Sequence, residues 1–328
     1  MIVITGGAGF IGSNLAAALE ERGERDIVVC DRLGQDGKWQ TIAKRELAAL
    51  VAPEELLAFL DEHAREISMV FHMGAISSTT ETDADLIART NFTLSQRLWE
   101  WCAETETRLL YASSAATYGD GSAGFDDDGS VAALARLRPL NAYGWSKHLF
   151  DRRVARLVEH NKAPPPQWAG LKFFNVYGPN EYHKGAMKSV VAQIYPRAAR
   201  GEPARLFRSH RADVPDGGQK RDFVYVRDCV DMMLWLYDHP EVSGLFNIGS
   251  GAARSFADLA AAVFRALGQE PRIDFVDTPV EIRDKYQYFT EARMERLRDA
   301  GYDKPFTSLE DGVADYVTNF LSRPDPYR

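Results

Sequence analysis

The chain has 328 residues, 45% of them hydrophobic, enough to bury the core of one large domain or of two ordinary ones. Its 39 basic and 47 acidic residues leave a formal charge of −8, which argues against a general polyanion-binding surface and against nucleic acid as a partner, so any phosphate site must be built from a few chosen basic groups. Cys30, Cys102 and Cys229 are odd in number, widely spaced and without a CxxC pair, so neither a disulfide framework nor a metal site is expected, and a reducing cytoplasm fits.

The run "IVIT" at 2–5 predicts a strand leading into "TGGAGFIGSN", which opens a helix. Short apolar runs follow at 26–30 ("DIVVC"), 69–73 ("MVFHM") and 108–114 ("RLLYASS"), separated by helix-length amphipathic stretches. That alternation predicts an α/β fold with a Rossmann-type doubly wound parallel sheet. A helix is expected over about 143–158, and a strand over 171–174 after the turn "KAPPPQW". From about residue 175 the pattern becomes irregular, with clusters such as "GPNEYHKG" and "RADVPDGGQKRD", which predicts a smaller mixed α/β substrate-binding domain. Strands at 222–226 and 244–251 around a helix at 228–238 are expected to return to the first domain. The expected division is therefore 1–174 plus about 223–250 for nucleotide binding, and 175–222 plus about 251–328 for substrate. "MIVITGGAGF" lacks a basic n-region, and no apolar run approaches the roughly 18 residues that span a bilayer, so neither export nor membrane insertion is expected.

The turn after the first strand carries Gly6, Gly9 and Gly12 at spacings of three, directly before a helix, which is the context a dinucleotide fingerprint requires. Asp31, at the end of the second strand, is placed to accept from adenosine ribose hydroxyls and points to NAD. Arg32 and Lys38 follow closely, and two cations could hold a 2′-phosphate, so these residues leave NAD and NADP open. Tyr143 and Lys147 in "YGWSK" are four apart and share a helix face. A lysine ammonium and an oxidised nicotinamide would both favour the phenolate, while Ser114 at a strand end could bond the reacting oxygen. Lys184, in "GPNEYHKGAM", has no periodic context and by itself reads as a solvated loop charge.

The fingerprint, "SSAATYG", "YGWSK" and "FFNVYGP" together resemble an extended short-chain dehydrogenase/reductase acting on a nucleotide-sugar. Within it, "SSTTETD", "FFNVYGPNEYHKGAM", "KRDFVYV" and "AGYDKPF" are most similar to the ADP-L-glycero-D-manno-heptose 6-epimerase family of lipopolysaccharide precursor synthesis. The resemblance implies a cytoplasmic homo-oligomer, a homopentamer, with an ADP-heptose substrate and NADP as cofactor. In its terms Tyr143 and Lys184 serve as acid/base groups for two orientations of the sugar, Ser114 bonds the reacting oxygen, and Lys147 holds nicotinamide ribose and tunes Tyr143. Phe10, Ile11, Met73, Gly74, Ala75, Ile76, Ser77, Asn91 and Val176 join the glycines, Asp31, Arg32, Lys38, Lys147 and Lys184 as cofactor residues. Asn175, Ala186, Gln193, Phe207, Arg221 and Tyr286 join Ser114 as substrate residues, with Arg221 placed to pair with the diphosphate. Pro53 stands where a further basic residue is expected, leaving Lys44 or Arg45 to substitute. The stretch 208–219 is longer than the pattern, so no contact is carried onto it. A 4,6-dehydratase would need an Asp-Glu pair where Ala115 and Ala116 stand. A 4-epimerase shares the redox logic, and it is the "HKGAM" loop that argues against it; a non-catalytic NADP sensor need not keep Ser114, Tyr143 and Lys147 together.

Overall fold

The computed structural model describes residues 1–279, 283 and 287–328. Seven parallel strands form the main sheet: β1 (Ile2–Thr5), β2 (Ile27–Cys30), β3 (Ala49–Val51), β4 (Met69–His72), β5 (Arg108–Ser114), β6 (Trp168–Phe173) and β10 (Gly244–Ile248), in the order β10-β6-β5-β4-β1-β2-β3. β1, β2, β4 and β10 are buried at every residue, as expected of strands covered on both faces by helices. The sheet reverses its order between β1 and β4, and in doubly wound sheets ligands bind in the crevice outside the carboxyl ends of the strands at such a reversal.

Three further strands, β7 (Asn175–Tyr177), β9 (Lys220–Tyr225) and β11 (Ala253–Ser255), form a second sheet in the order β11-β9-β7, and β8 (Ala204–Phe207) pairs with β12 (Ile273–Val276). One apolar core joins the main sheet to its helices and takes in Ala292, Met294, Leu297 and Tyr302. A second gathers Tyr177, Val191, Leu206, Phe223, Val263, Val313 and Phe320. Phe10, the first residue of helix Phe10–Glu21, belongs to that second core, so the glycine turn lies where the two cores meet.

β6 begins three residues before the predicted 171, because Gln167 anchors its start: the amide donates to the carbonyls of Leu236, His239 and Val242 at 2.7, 2.9 and 3.1 Å. The predicted helix at 228–238 spans Val226–Asp238. The three cysteines are free and buried. Among the described residues no helix is long and apolar enough to cross a membrane, and no cluster of His, Cys, Asp and Glu could hold a metal.

Candidate active site

The glycine turn is shaped by close backbone approaches. Gly6 has φ +67°, and a Cβ there would lie 2.6 Å from the Gly74 backbone; at Gly12 a Cβ would lie 2.3 Å from the Gly6 carbonyl oxygen. Helix Phe10–Glu21 starts at Gly9 without a side-chain cap and without an acid in its first turn, so its first amides and positive dipole end are directed at the cleft. Beside the turn, Thr5, His72, Ser95 and Asn91 form a buried relay. The Gly74 N–H donates to Thr5 Oγ1 (3.1 Å), Thr5 Oγ1 bonds His72 Nδ1 (2.6 Å), His72 Nε2 bonds Ser95 Oγ (2.9 Å), and Ser95 Oγ donates to the Asn91 carbonyl (2.5 Å). The Asn91 amide closes the relay on Ile76, accepting from its N–H at 2.9 Å and donating to its carbonyl at 3.0 Å. The segment 73–77 is thereby fixed against the glycine turn.

Across the cleft, β5 ends at Ser114, whose hydroxyl accepts from the Ala116 N–H at 3.1 Å. Helix Ala142–Glu159 is capped by Asn141, which accepts from the Gly144 N–H at 2.8 Å. Gly144 lets the helix seat on that turn, since a Cβ there would come within 2.7 Å of the Ala116 carbonyl oxygen. The seating places Tyr143 and Lys147, one turn apart, beside Ser114. Burial raises the Tyr143 phenol above its ordinary pKa of 10, and a hydrogen bond from Ser114 works against it. Burial lowers Lys147 to about 8, opposed by the charge of Asp151. Asp151, one turn further along the helix, is paired with Lys172 at 2.7 Å, both wholly buried, and accepts from Ser113 Oγ at 2.7 Å.

Lys184 lies in the 3-10 segment Tyr182–Met187 that follows β7 and is kinked at Gly185. Its pKa is lowered by burial, with the Glu181 carboxylate opposing, and its ammonium stands 5.3 Å from the Phe10 ring centroid. Glu181 is itself buried and accepts from Ser189 Oγ at 2.6 Å, tying this segment to the next helix, Val190–Ala198.

A single cleft of about 490 Å³ is lined by Gly6, Gly9, Phe10, Ile11, Gly12, Asp31, Lys38, Met73, Gly74, Ala75, Ser77, Ser114, Tyr143, Lys147, Val176 and Lys184. These are most of the residues singled out in the sequence. Ser78, Ser113, Phe174, His183 and Met187 also line it and were not singled out, although each adjoins or shares a segment with a residue that was.

The other expected residues that the structure describes are not among those lining this cleft. The Arg32 guanidinium is paired with Glu54 and exposed. Ile76 and Asn91 act through the relay just described. Asn175 is exposed at the start of β7, and Ala186 is exposed beyond Lys184. Gln193 donates to the carbonyls of Ala186 and Lys188, at 3.3 and 2.7 Å. Phe207 ends β8. Arg221, on β9, is buried and donates to the carbonyls of Lys220 and Gln287, with its guanidinium 5.7 Å from the Phe256 ring centroid. Tyr286 lies outside the described residues. Neither Lys44 nor Arg45 lines the cleft: Lys44 pairs with Asp325 at 2.8 Å, and Arg45 pairs with Glu20.

The residues present fit a dinucleotide. A glycine turn without side chains meets an uncapped helix start, Asp31 and Lys38 stand at one end of the cleft and Ser114, Tyr143 and Lys147 at the other, and the buried Nδ1 of His183 has no hydrogen-bond partner among the described residues.

Comparison with known proteins places the chain in a family. Residues 2–249 match the NAD dependent epimerase/dehydratase family. The chain is 49% identical over 329 aligned residues to an ADP-L-glycero-D-manno-heptose-6-epimerase of Nitratidesulfovibrio vulgaris, covering 100% of both. Among solved structures it is similar to the ADP-L-glycero-D-manno-heptose-6-epimerase of Helicobacter pylori, with TM-score 0.78 and 29% identity over 98% of this chain and 96% of that one. It is also similar to MoeE5 in complex with UDP-glucuronic acid and NAD, with TM-score 0.73 and 27% identity over 95% of this chain and 96% of that one.

Proposed function

Because this chain belongs to the NAD dependent epimerase/dehydratase family, and within it to the ADP-L-glycero-D-manno-heptose-6-epimerases, we propose that it interconverts ADP-D-glycero-D-manno-heptose and ADP-L-glycero-D-manno-heptose at C6 of the heptose with a bound nicotinamide cofactor. The observation that carries this reading is that Ser114, Tyr143, Lys147 and Lys184 line one cleft together with the glycine turn.

The hydrogen on such a carbon is not acidic, so inversion begins with oxidation of the hydroxyl to a ketone and ends with reduction from the opposite face. A bound nicotinamide would supply the hydride acceptor for the oxidation and the hydride donor for the reduction. The chain's own residues move the proton. Ser114 and Tyr143 meet the reacting oxygen in one orientation of the sugar, and Lys184 meets it in the other. Burial favours the neutral amine that a base requires, and the Glu181 carboxylate and the Phe10 ring favour the ammonium that an acid requires. Lys147 steadies nicotinamide ribose and the Tyr143 phenolate.

NADP is the proposed form of the cofactor. Asp31 accepts from Ala8 N–H (3.0 Å), Arg32 N–H (2.8 Å) and Lys38 Nζ (2.6 Å), so its carboxylate is already occupied by donors and its charge is offset. Lys38 and Arg32 are then the residues that would hold the 2′-phosphate. The residues 1–174 plus about 223–250 would hold the cofactor and the remainder the sugar. As for the family, a cytoplasmic homo-oligomer feeding lipopolysaccharide core precursor synthesis is the proposed setting.

The test is proton NMR of either ADP-heptose incubated with the purified, cofactor-loaded protein. Appearance of the C6 epimer at an unchanged anomeric centre is expected. An ADP-heptose returned unchanged by protein that carries its cofactor, or inversion at C4 in its place, would contradict the assignment.

A further inference from the structure

His183 sits immediately before Lys184 in the segment Tyr182–Met187 and lines the cleft, where the charges of Lys38 and Asp31 act on its ring. Its Nδ1 is buried and has no hydrogen-bond partner among the described residues. A buried imidazole nitrogen without a partner loses its bonds to water with nothing in return, so such an atom in a ligand cleft points to a group that arrives with the ligand. The charged groups around the ring are Lys38 and Lys184, which disfavour the imidazolium, and Asp36 and Asp31, which favour it.

Four basic groups that could serve as phosphate ligands are already paired with acids. Lys38 is held by Asp31 at 2.6 Å, Arg32 by Glu54, Lys44 by Asp325 and Arg45 by Glu20. A phosphate entering here can take a further donor from the unmatched nitrogen of His183. We propose that His183 is a phosphate ligand of the bound dinucleotide, its Nδ1–H donating to a cofactor phosphate oxygen. The inference rests on the nicotinamide-cofactor reading above. It also gives the loop a second function: because His183 and Lys184 are adjacent, a phosphate held by one fixes the position of the other.

The linkage has a definite sign. Burial first, and then Lys38 and Lys184, hold the imidazole below its ordinary pKa of 6.5, while Asp36 and Asp31 oppose them. A phosphate against Nδ1 favours the imidazolium, so binding takes up a proton and the affinity rises as pH falls through the pKa of the complex. Lys147, lowered by burial to about 8, can contribute its own uptake, but that part is common to every His183 variant.

The experiment is calorimetric titration of cofactor-free protein with NADP and with NAD at pH 6.5 and 8.0, each in two buffers of different ionisation enthalpy, for the native chain, His183→Leu and His183→Asn. Asparagine keeps a neutral donor near the Nδ1 position. His183→Leu should weaken binding about 10- to 100-fold at pH 6.5, the usual range for a lost hydrogen bond to a charged group. His183→Asn should recover part of the affinity while losing the extra proton uptake. Loss with NADP alone would place the contact at the adenosine phosphate, and equal loss with NADP and NAD at the pyrophosphate; either supports the proposal. Unchanged affinity and proton uptake in both variants, with tight binding by the native chain, would overturn it. A native chain that binds neither dinucleotide would overturn the cofactor reading itself, and this inference with it.

Discussion

The ammonium of Lys184 stands 5.3 Å from the ring centroid of Phe10, the first residue of the helix that follows the glycine turn. The loop that carries the second proposed acid/base group is thus registered on the helix proposed to receive the cofactor. An aromatic face favours the ammonium by about 0.5–2 kcal/mol, which corresponds to roughly 0.4–1.5 pH units. Phe10→Leu removes that face while keeping an apolar side chain. Burial already lowers the Lys184 pKa, so the replacement should lower it further, and the lysine should lose its proton at lower pH. The measurement is the pH profile of hydride transfer in a Tyr143→Phe background, where Lys184 is the remaining acid/base group. An unmoved profile would mean that the ring does not act on the charge.

Arg32 must leave Glu54 to reach a cofactor phosphate. Arg32→Ala should weaken NADP binding by about 1.5–3 kcal/mol and leave NAD nearly unchanged, the range of a lost charged contact. Glu54→Gln should act in the opposite direction and tighten NADP by less than about 1 kcal/mol, since the pair it removes is exposed. Titration of each variant with both dinucleotides checks this. Equal effects on NADP and NAD would show that Arg32 does not read the 2′-phosphate.

The buried relay makes acid stability depend on His72. Ser95 Oγ spends its proton on the Asn91 carbonyl and so accepts from His72 Nε2–H, which leaves Nδ1 as the acceptor for the Thr5 hydroxyl. Only the neutral ring satisfies this chain of donors. Burial, and then the charge of Lys147, lowers His72 from 6.5 to about 3. Between those values the unfolded chain binds the proton and the folded chain does not, so stability falls as pH falls from about 6.5 toward 3, by up to about 5 kcal/mol for this one residue. Urea unfolding of native chain and His72→Gln across that range should show a shallower slope in the variant, about one proton fewer. Parallel curves would assign the acid sensitivity elsewhere.

Asp151 and Lys172 form an ion pair with no exposed side-chain surface, completed by Ser113 and by Thr117, which accepts from Lys172 Nζ at 2.8 Å. Removing one partner strands a buried charge, so Lys172→Met is expected to destabilise the fold by about 3–5 kcal/mol. Adding Asp151→Asn should return part of that loss, because no ion is then stranded. A double variant as unstable as the sum of the two single ones would show that the charges act independently.

The parts legible in the sequence were those written locally. β5 spans the predicted 108–114, and the glycine turn and the Tyr143–Lys147 pair lie on the elements read for them, because turn geometry and helix periodicity act over a few residues. The convergence was not legible in the same way. His183, Phe174 and Met187 reach the cleft because β6 and β7 end there, which a pairing pattern spread over the whole chain decides. Lys44 and Arg45 were available on charge alone as further phosphate ligands, yet Asp325 and Glu20, remote in sequence, engage them. Arg221 was read from its motif as a diphosphate ligand, and its contacts with the carbonyls of Lys220 and Gln287 are not spelled out by that motif.

The most direct test of the two-orientation mechanism uses an ADP-sugar with an aldehyde at the reacting carbon, because one molecule can then be oxidised while another is reduced without any centre being inverted. Tyr143→Phe and Lys184→Met are each expected to lose epimerisation by about 10²–10⁴-fold, the usual contribution of a general acid/base group. Each should nevertheless still dismutate the aldehyde through the group that survives. The contrary result is Tyr143→Phe inactive in both assays and Lys184→Met epimerising at a near-normal rate with fold and cofactor content intact, which would leave Tyr143 alone at the reacting oxygen and make Lys184 an ordinary loop charge.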